Sequence, residues 1–261
     1  MLRTEALDVR IGSRLLVRAL DLDVGAGECW AVLGRNGAGK STLLHVLAGL
    51  RPAHAGQVTI NGASVHAMSR REVARNLGVL LQEETREYWG SARDYATLGR
   101  YPHQQGIFGP GAQDRKVVDR ALSVMDLDAL SSRAYRSLSG GERQRARLAA
   151  LFAQQPVCYL CDEPLQQLDL AHQMAFLEWI GGEARNRHSA CLMVMHDLVL
   201  AHRYCDHVLL LFGDGSHASG SRKEMMTQAN LHRLYGFPVK VCTVDGESVF
   251  LPVSPDSEAQ L

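Results

Sequence analysis

A glycine-rich stretch that ends in a lysine and two hydroxyl residues carries the most specific chemistry in this chain. It matches the phosphate-loop pattern G-x-x-x-x-G-K-[ST] at every fixed position and comprises Gly34, Arg35, Asn36, Gly37, Ala38, Gly39, Lys40, Ser41 and Thr42. Glycines let backbone N–H groups turn inward around phosphate oxygens, and the start of a following helix attracts anions. Lys40 would bring its charge to the outer phosphates, and Ser41 is placed to ligate Mg²⁺. The stretch predicts a site for a nucleoside triphosphate.

The residues on both sides of this loop agree with that interpretation. Cys29–Leu33 is a short apolar run typical of a buried strand, and apolar residues recur at helical spacing from Leu43 to Leu47. Gly49 is placed to end that helix. A glycine-rich turn before an ordinary helix is the structural alternative, but it explains neither the lysine nor the strand–loop–helix context.

Two carboxylates follow a second apolar run. Val157–Cys161 is typical of a buried strand and leads into Asp162 and Glu163. Carboxylates at the end of a strand suit metal and water chemistry at a phosphate site, with Asp162 holding Mg²⁺ through water and Glu163 polarising the attacking water. A charged loop after a core strand is the alternative. It loses weight because the phosphate loop gives the carboxylates something to act on.

Two more polar residues stand at the ends of predicted strands. His196 follows the apolar run Ala190–Met195 and could contact a γ-phosphate, although a lone histidine in such a place is more often structural. Gln82 follows the strand Gly78–Leu81 and opens a charged segment, 83–87. Because the carboxyl ends of parallel strands meet at one edge of a sheet, we expect a shared site there.

A second helix start has features of an anion site. In Leu138–Glu142, Ser139 is a good N-cap for a helix that continues to about Ala153, and Gly140 and Gly141 allow close backbone approach. Taken alone, this pattern indicates no more than a well-capped helix. The residues leave open why one chain carries two such helix starts.

Strands that alternate with helices predict an α/β fold with a mostly parallel sheet. Residues 1–33 favour short strands, which we assign to an N-terminal antiparallel β subdomain. Strand-like runs vanish between 88 and 136, where helical periodicity appears at Ala92–Leu98 and Val117–Leu127. We predict an α/β core of residues 1–87 and 137–261 with an inserted helical subdomain, residues 88–136.

The composition argues against several functions. Lys and Arg total 28, as do Asp and Glu, so no net field favours nucleic acid as a partner. No stretch approaches the roughly 20 apolar residues of a membrane span, so a membrane role would come through a partner. Cys158 and Cys161 are three positions apart on one strand and would point to opposite faces, which suits neither zinc nor a disulfide. The six cysteines are predicted to be mostly buried thiols.

Taken together, these motifs resemble those of the ATP-binding subunit of an ABC transporter over nearly the whole chain. Gly34–Thr42 resembles the family's phosphate loop, Gln82 its glutamine loop, and Leu138–Glu142 its signature motif, which is the most specific marker. Val157–Glu163 resembles the strand with the Mg²⁺-associated aspartate and the catalytic glutamate. The remaining matches are the aspartate loop at Leu168-Asp169 and the switch histidine at His196.

The resemblance implies an ATPase of P-loop fold that uses Mg²⁺. Its catalytic residues would be Lys40, Gln82, Glu163 and His196, and Mg²⁺ would be held by Ser41, Gln82 and Asp162. ATP on one subunit would be covered by Ser139, Gly140 and Gly141 of a second copy in a head-to-tail dimer. The insertion and residues 83–88 would meet a membrane permease at the cytoplasmic face of the plasma membrane, and a substrate-binding protein would act through that permease.

Two departures from the family pattern affect these expectations. Family members usually stack adenine on an aromatic residue, but Ile11 falls near that position, so we expect nucleotide affinity weakened several-fold and base selectivity relaxed. Gln166-Gln167 stands where small residues usually precede Leu168-Asp169, and these long side chains would alter how subunits meet. The segment Gly99–His103 resembles importers of iron–siderophore, haem and vitamin B12, which favours uptake.

Two other functions remain as alternatives. A soluble ABC-type ATPase acting on nucleic acid or ribosomes usually has two nucleotide sites or a large inserted coiled coil, and the sequence shows neither. An unrelated phosphate-loop kinase would leave Leu138–Glu142 unexplained.

Overall fold

An antiparallel sheet and a mostly parallel sheet enclose the phosphate-loop helix in the computed structural model, which describes residues 1–82, 88–104 and 109–253. The first elements are β1 (Leu2–Ile11), β2 (Arg14–Val24), β3 (Cys29–Gly34), α1 (Lys40–Leu47), β4 (Ala55–Ile60) and β5 (Ala63–Ser64). The antiparallel sheet has the order β2-β1-β4-β5. The predicted N-terminal antiparallel region is confirmed.

β1 and β2 are longer than the short strands that the sequence predicts. The polar–apolar alternation of β1 breaks at Ala6, which has a φ of 45°, and Ala19 of β2 has a φ of 46°. The pairing register of the two strands shifts on both sides of Leu7. Such bulges add a residue without ending the strand, so pairing continues where the sequence pattern stops.

The central sheet is mostly parallel, as predicted. Its further elements, with the helices between them, are α2 (Arg70–Asn76), β6 (Leu77–Leu80), α3 (Ala92–Leu98), α4 (Ala112–Val124), α5 (Gly140–Gln154), β7 (Cys158–Asp162), α6 (Leu170–Arg187), β8 (Ala190–Val194), α7 (Leu198–Tyr204), β9 (His207–Leu211) and β10 (His217–Ser221). The strand order is β10-β9-β3-β8-β7-β6, and only the β9–β10 pair is antiparallel. The carboxyl ends of β3, β6, β7 and β8 therefore lie along one edge.

Among the described residues between 88 and 136, the α-helices are α3 and α4. α3 has the predicted bounds, whereas α4 starts and ends earlier than the predicted Val117–Leu127. Asp114 accepts from the backbone N–H of Gly111 at 3.0 Å and so fixes the start of α4. Asp126 has a φ of 50°, and the N–H of Leu127 donates to the carbonyl of Leu122 at 2.9 Å, which closes the helix with a Schellman-type bond. No helix of the described residues is both long and apolar enough to cross a membrane.

The C-terminal part contains α8 (Arg222–Met225), α9 (Gln228–Tyr235), β11 (Val239–Val244) and β12 (Glu247–Pro252). The predicted hairpin at Asp245-Gly246 is confirmed, and both turn residues have positive φ, as a two-residue hairpin turn requires. The charged segment 83–87 and the predicted frayed end, 255–261, lie outside the described residues.

Two hydrophobic layers cover the faces of the central sheet. One packs against α5 and α6 and contains Cys161, while the other packs against α1 and contains Cys158. The prediction that these two thiols point to opposite faces is confirmed. All six cysteines are unpaired, and all but Cys242 are buried.

Candidate functional site

The phosphate loop connects β3 to α1 through backbone conformations that only glycine adopts readily. Gly37 and Gly39 have φ values of 77° and 102°, and α1 begins at the next residue, Lys40. No side chain caps the start of α1, and its first turn carries no acidic residue. Its N-terminal N–H groups are therefore left to an anion from outside the helix.

Lys40 folds back over this loop. Its Nζ donates to the carbonyls of Gly34 at 2.9 Å and Arg35 at 3.2 Å, and the side chain is buried. Burial lowers the pKa of Lys40, against the opposing charges of Glu163 and Asp162. The ammonium group of Lys40, with two carboxylates nearby, thus lies at the N-terminus of α1, where it would neutralise phosphate charge.

Three loop residues have mainly structural contacts. A Cβ on Gly34 would lie 2.8 Å from the carbonyl oxygen of Leu211, so only glycine fits there. Ala38 is buried, and its N–H donates to the carbonyl of Arg35 at 3.1 Å. Gly34, Arg35 and Ala38 shape the loop and are not among the residues that line the cleft described below.

Asp162 ends β7 beside the loop. Burial raises the pKa of its carboxyl, with a hydrogen bond from Ser41 opposing that effect and the charge of Glu163 adding to it. Its Oδ1 atom is buried without a hydrogen-bond partner in the described parts of the chain. A buried, unpaired carboxylate oxygen close to a hydroxyl is a donor set that suits Mg²⁺, so these residues fit the metal that the sequence predicts.

Glu163 follows directly, with a φ of 51° that few non-glycine residues adopt. Its Oε1 lies 2.7 Å from Nε2 of His196, and its Oε2 accepts from Nε2 of Gln82 at 3.2 Å. Nε2 of Gln166 also donates to Oε2. The ends of β6, β7 and β8 thus bring together the three residues that the sequence assigned to one site.

An open cleft of about 710 Å³ joins the loop to this cluster. That volume lies within the range of small-molecule sites. Its predicted lining residues are Asn36, Gly37, Gly39, Lys40, Ser41, Thr42, Gln82, Glu163 and His196, together with Ile11.

The cleft includes three residues that the sequence did not assign to it: Arg14, Leu16 and Gln166. Arg14 pairs with Ile11 across the β1–β2 turn, so the turn at Gly12-Ser13 was a usable signal for Arg14. Leu16 packs on Gly39, where an added Cβ would lie 2.9 Å from the Cβ of Leu16. Ile11 is 50% exposed at the cleft, as expected for a residue in the position of the missing aromatic.

The Ser139–Gly141 segment is not part of this cleft in the same chain. Ser139 caps α5, because its Oγ accepts from the N–H of Glu142 at 3.2 Å while Glu142 Oε2 accepts from the N–H of Ser139 at 2.6 Å. Added Cβ atoms on Gly140 and Gly141 would lie 2.7 and 2.8 Å from side-chain and backbone oxygens of Gln167. The predicted N-cap is confirmed, but the two anion-type helix starts do not meet within one chain.

The buried cysteines and His207, outside the cleft, have packing contacts in the structure. The described residues contain no group of three or more His, Cys, Asp or Glu side chains able to hold a metal. His207 stacks on Trp30 with ring centroids 4.7 Å apart, and burial raises the pKa of Cys158 to about 12.

The sequence matches those of a known protein family. Residues 17–166 match the profile of the family described as ABC transporter. The hemin import ATP-binding protein HmuV of Pseudomonas entomophila (strain L48) is 40% identical over 246 residues, which cover 92% of this chain and 94% of that protein. The ferric enterobactin transport ATP-binding protein FepC of Escherichia coli (strain K12) is 35% identical over 90% of this chain and 87% of its own.

Solved structures agree. A structure assigned to the metal-chelate type of ABC transporter, in an inward-facing conformation, superposes with a TM-score of 0.83 at 26% identity over 98% of both chains. The dimeric cassette MJ0796 shares the fold with a TM-score of 0.75 at 20% identity, over 85% of this chain and 99% of its own. The resemblance inferred from the motifs is confirmed, and the chain belongs to the ABC transporter family as an ATP-binding subunit that hydrolyses ATP.

Proposed function

We propose that this ATPase powers the uptake of a metal chelate, either haem or an iron–siderophore complex, through a separate membrane permease. The observation that carries the catalytic part is the convergence of Gln82, Glu163 and His196 on the cleft beside Lys40. The names of the hemin and ferric enterobactin relatives support the cargo, and they favour transport over a soluble ABC-type ATPase acting on nucleic acid.

The mechanism follows from the charges around the cleft. The free N–H groups at the start of α1 and the Lys40 ammonium bind the phosphates and stabilise the charge that develops on them. Ser41, Asp162 and Gln82 would hold Mg²⁺, which would supply further neutralisation of the phosphate charge. Glu163 accepts the proton of the attacking water at its carboxylate, and His196 donates a hydrogen bond to the γ-phosphate.

A second copy of the chain completes the site in this proposal. The signature segment Ser139–Gly141 does not line the cleft of its own chain, yet it presents a helix N-terminus and two glycines without side chains. A head-to-tail dimer would place that segment over the γ-phosphate in the partner's cleft. The site would then be catalytic only when two subunits close on the nucleotide.

The insertion, residues 88–136, is the proposed contact with the permease. It exposes large apolar side chains, with Trp89 80% exposed, Tyr101 73% and Leu98 49%. Leu98 also lines a cleft of about 320 Å³ between α3, α5 and β6, together with Leu81. Exposed apolar groups beside a groove mark a protein-binding surface. The subunit would sit at the cytoplasmic face of the membrane, and a substrate-binding protein would deliver the chelate to the permease.

Glu163→Gln tests the catalytic assignment. We expect the variant to keep ATP binding and to lose nearly all phosphate release, because the amide cannot accept the proton of water while it fills the same space. Light scattering would show an ATP-trapped dimer. Wild-type turnover in this variant would remove Glu163 from the role of base.

The transport assignment needs a separate experiment. The tagged chain, purified from detergent-solubilised membranes of its native cell, should bring down a stoichiometric polytopic membrane protein. Recovery of ribosomes or nucleic acid in its place would contradict the permease partner and leave the ATPase chemistry standing.

A further inference from the structure

We propose that Gln166 is a positioning residue for the catalytic base, a role that rests on the ATPase mechanism proposed above. Gln166 lines the nucleotide cleft, and its side-chain amide donates to the Glu163 carboxylate. Gln166 departs from the family pattern, which usually has a small residue at this position, and its long polar side chain contacts the catalytic base.

The local backbone brings Gln166 to this place. The N–H of Gln166 donates to the carbonyl of Glu163 at 3.2 Å, which closes a turn directly after β7. Glu163 itself begins the turn with a positive φ. Because this turn brings residue 166 back beside residue 163, the side chains of Gln166 and Glu163 lie on the same side of the chain. A small side chain here could not span that gap.

The three side chains that bond to Glu163 within the described part of the chain are not equivalent. His196 lies on Oε1, whereas Gln82 and Gln166 both donate to Oε2. In the proposed mechanism, Gln82 turns to the metal and His196 to the γ-phosphate once nucleotide is bound. Gln166 binds neither the metal nor the nucleotide in this mechanism, so its hydrogen bond to Oε2 persists when nucleotide is bound.

The division between the two carboxylate oxygens gives the bond its function. Departure of His196 opens Oε1 to the attacking water, while Gln166 keeps Oε2 in place. A carboxylate held at one oxygen aims the lone pairs of the other, which a freely rotating side chain would not do. Gln166 does not touch the water or the phosphate in this arrangement and acts through Glu163.

Gln166→Met tests the proposal, because methionine has a similar length and no donor. We expect kcat for phosphate release to fall roughly 10- to 150-fold, the loss that corresponds to one hydrogen bond to a charged group. KM for ATP should stay within about twofold of wild type, because the lost hydrogen bond is to Glu163 and not to the nucleotide. Gln57→Met is the matched control, because it removes the 2.7 Å amide–carboxylate bond to Glu5 on the antiparallel sheet, away from the cleft. It should leave kcat unchanged.

Gln166→Glu adds a readout that a purely structural role would not move. The change keeps the shape of the side chain but replaces the donating amide with a second carboxylate, which repels the carboxylate of Glu163. We expect kcat to fall below that of Gln166→Met, because repulsion adds to the loss of the hydrogen bond.

An unchanged or increased kcat in Gln166→Met would overturn the proposal, as would a raised KM with unchanged kcat or a wild-type kcat in Gln166→Glu. Failure of the underlying mechanism looks different, since Glu163→Gln would then release phosphate as fast as the wild-type protein. Binding of a fluorescent ATP analogue by each variant shows that it is folded.

Discussion

The starts of α1 and α5 are both rich in glycine, but they treat the helix N-terminus in opposite ways. α1 has no capping side chain and no acidic residue in its first turn, and Lys40 stands at its head. α5 is closed by the reciprocal bonds of Ser139 and Glu142, which also bring a negative charge into the first turn. The first start requires an outside anion to satisfy its N–H groups, whereas the second is already largely satisfied.

A helix start can therefore bind an anion only to the extent that its own side chains leave the N-terminal N–H groups without partners. α1 should bind the triphosphate strongly within one chain. α5 should contribute a smaller attraction, and its glycines, rather than its dipole, would set how closely it approaches a phosphate.

Lys40→Ala removes the cation from the open helix start. We expect kcat to fall roughly 100- to 1,000-fold, the cost of losing one preorganised charge at a developing anion, and ATP binding to weaken as well. Phosphate release and nucleotide titration measure the two effects. Lys116→Ala removes an exposed cation from α4 and should change neither. Equal losses in both variants would mean that overall charge, rather than position, matters.

Gly141→Ala acts at the closed helix start. Its new Cβ would lie 2.8 Å from the backbone oxygen of Gln167, a contact that forces the segment to shift at a cost of about 1–3 kcal/mol. Turnover should fall while ATP binding to the single subunit stays as in wild type. Gly182→Ala on α6 is the control, since its Cβ would meet nothing nearer than 4.0 Å. Loss of ATP binding in Gly141→Ala would show that α5 also serves its own chain's cleft.

Ile11→Tyr adds to the α1 side the aromatic surface that the cleft lacks. A stacking contact is worth roughly 0.5–1.5 kcal/mol, so KM for ATP should fall about two- to tenfold with kcat little changed. Val244→Tyr is the control, since Val244 is equally exposed but lies on the C-terminal hairpin. An unchanged KM in Ile11→Tyr would mean that the adenine is held elsewhere.

Acid should weaken the cap of α5 and leave the start of α1, which has no carboxylate cap, unaffected. The backbone N–H of Ser139 is the main cause that holds the pKa of Glu142 below its ordinary 4.5. The stabilisation is fully present above that ordinary value and is lost as the pH falls through the lowered, folded-state pKa. The gap in unfolding free energy between wild type and Glu142→Gln should therefore narrow from about pH 7 to about pH 3. A constant gap would show that the charge of Glu142 contributes nothing.

Local signals account for most of what the sequence predicted. The phosphate loop, the N-cap at Ser139 and the polar ends of the strands each depend on neighbouring residues, and all lie as expected. The meeting of Gln82, Glu163 and His196 also followed, because parallel strands share an edge. Motif order supplied the family, which the relatives confirm.

The sequence-based predictions are wrong or incomplete where the backbone conformation does not follow from the residue types. Bulges at Ala6 and Ala19 interrupt the alternation without ending the strands, so β1 and β2 were predicted too short. The contact of Gln166 with Glu163 depends on a positive φ in a residue whose type does not signal it. The predicted subdomain boundaries and the roles of the site residues stay predictions.

Cysteines are buried on both faces of the central sheet, so the rate at which they are labelled can measure how often the core opens. Burial raises the pKa of the Cys158, Cys191 and Cys205 thiols, so the reactive thiolate forms only when the core opens. Cys242, on the hairpin, is partly exposed and would be alkylated without such opening. The labelling rate of Cys242 thus reports hairpin motion, whereas that of the buried thiols reports how often the whole nucleotide-binding sheet comes apart.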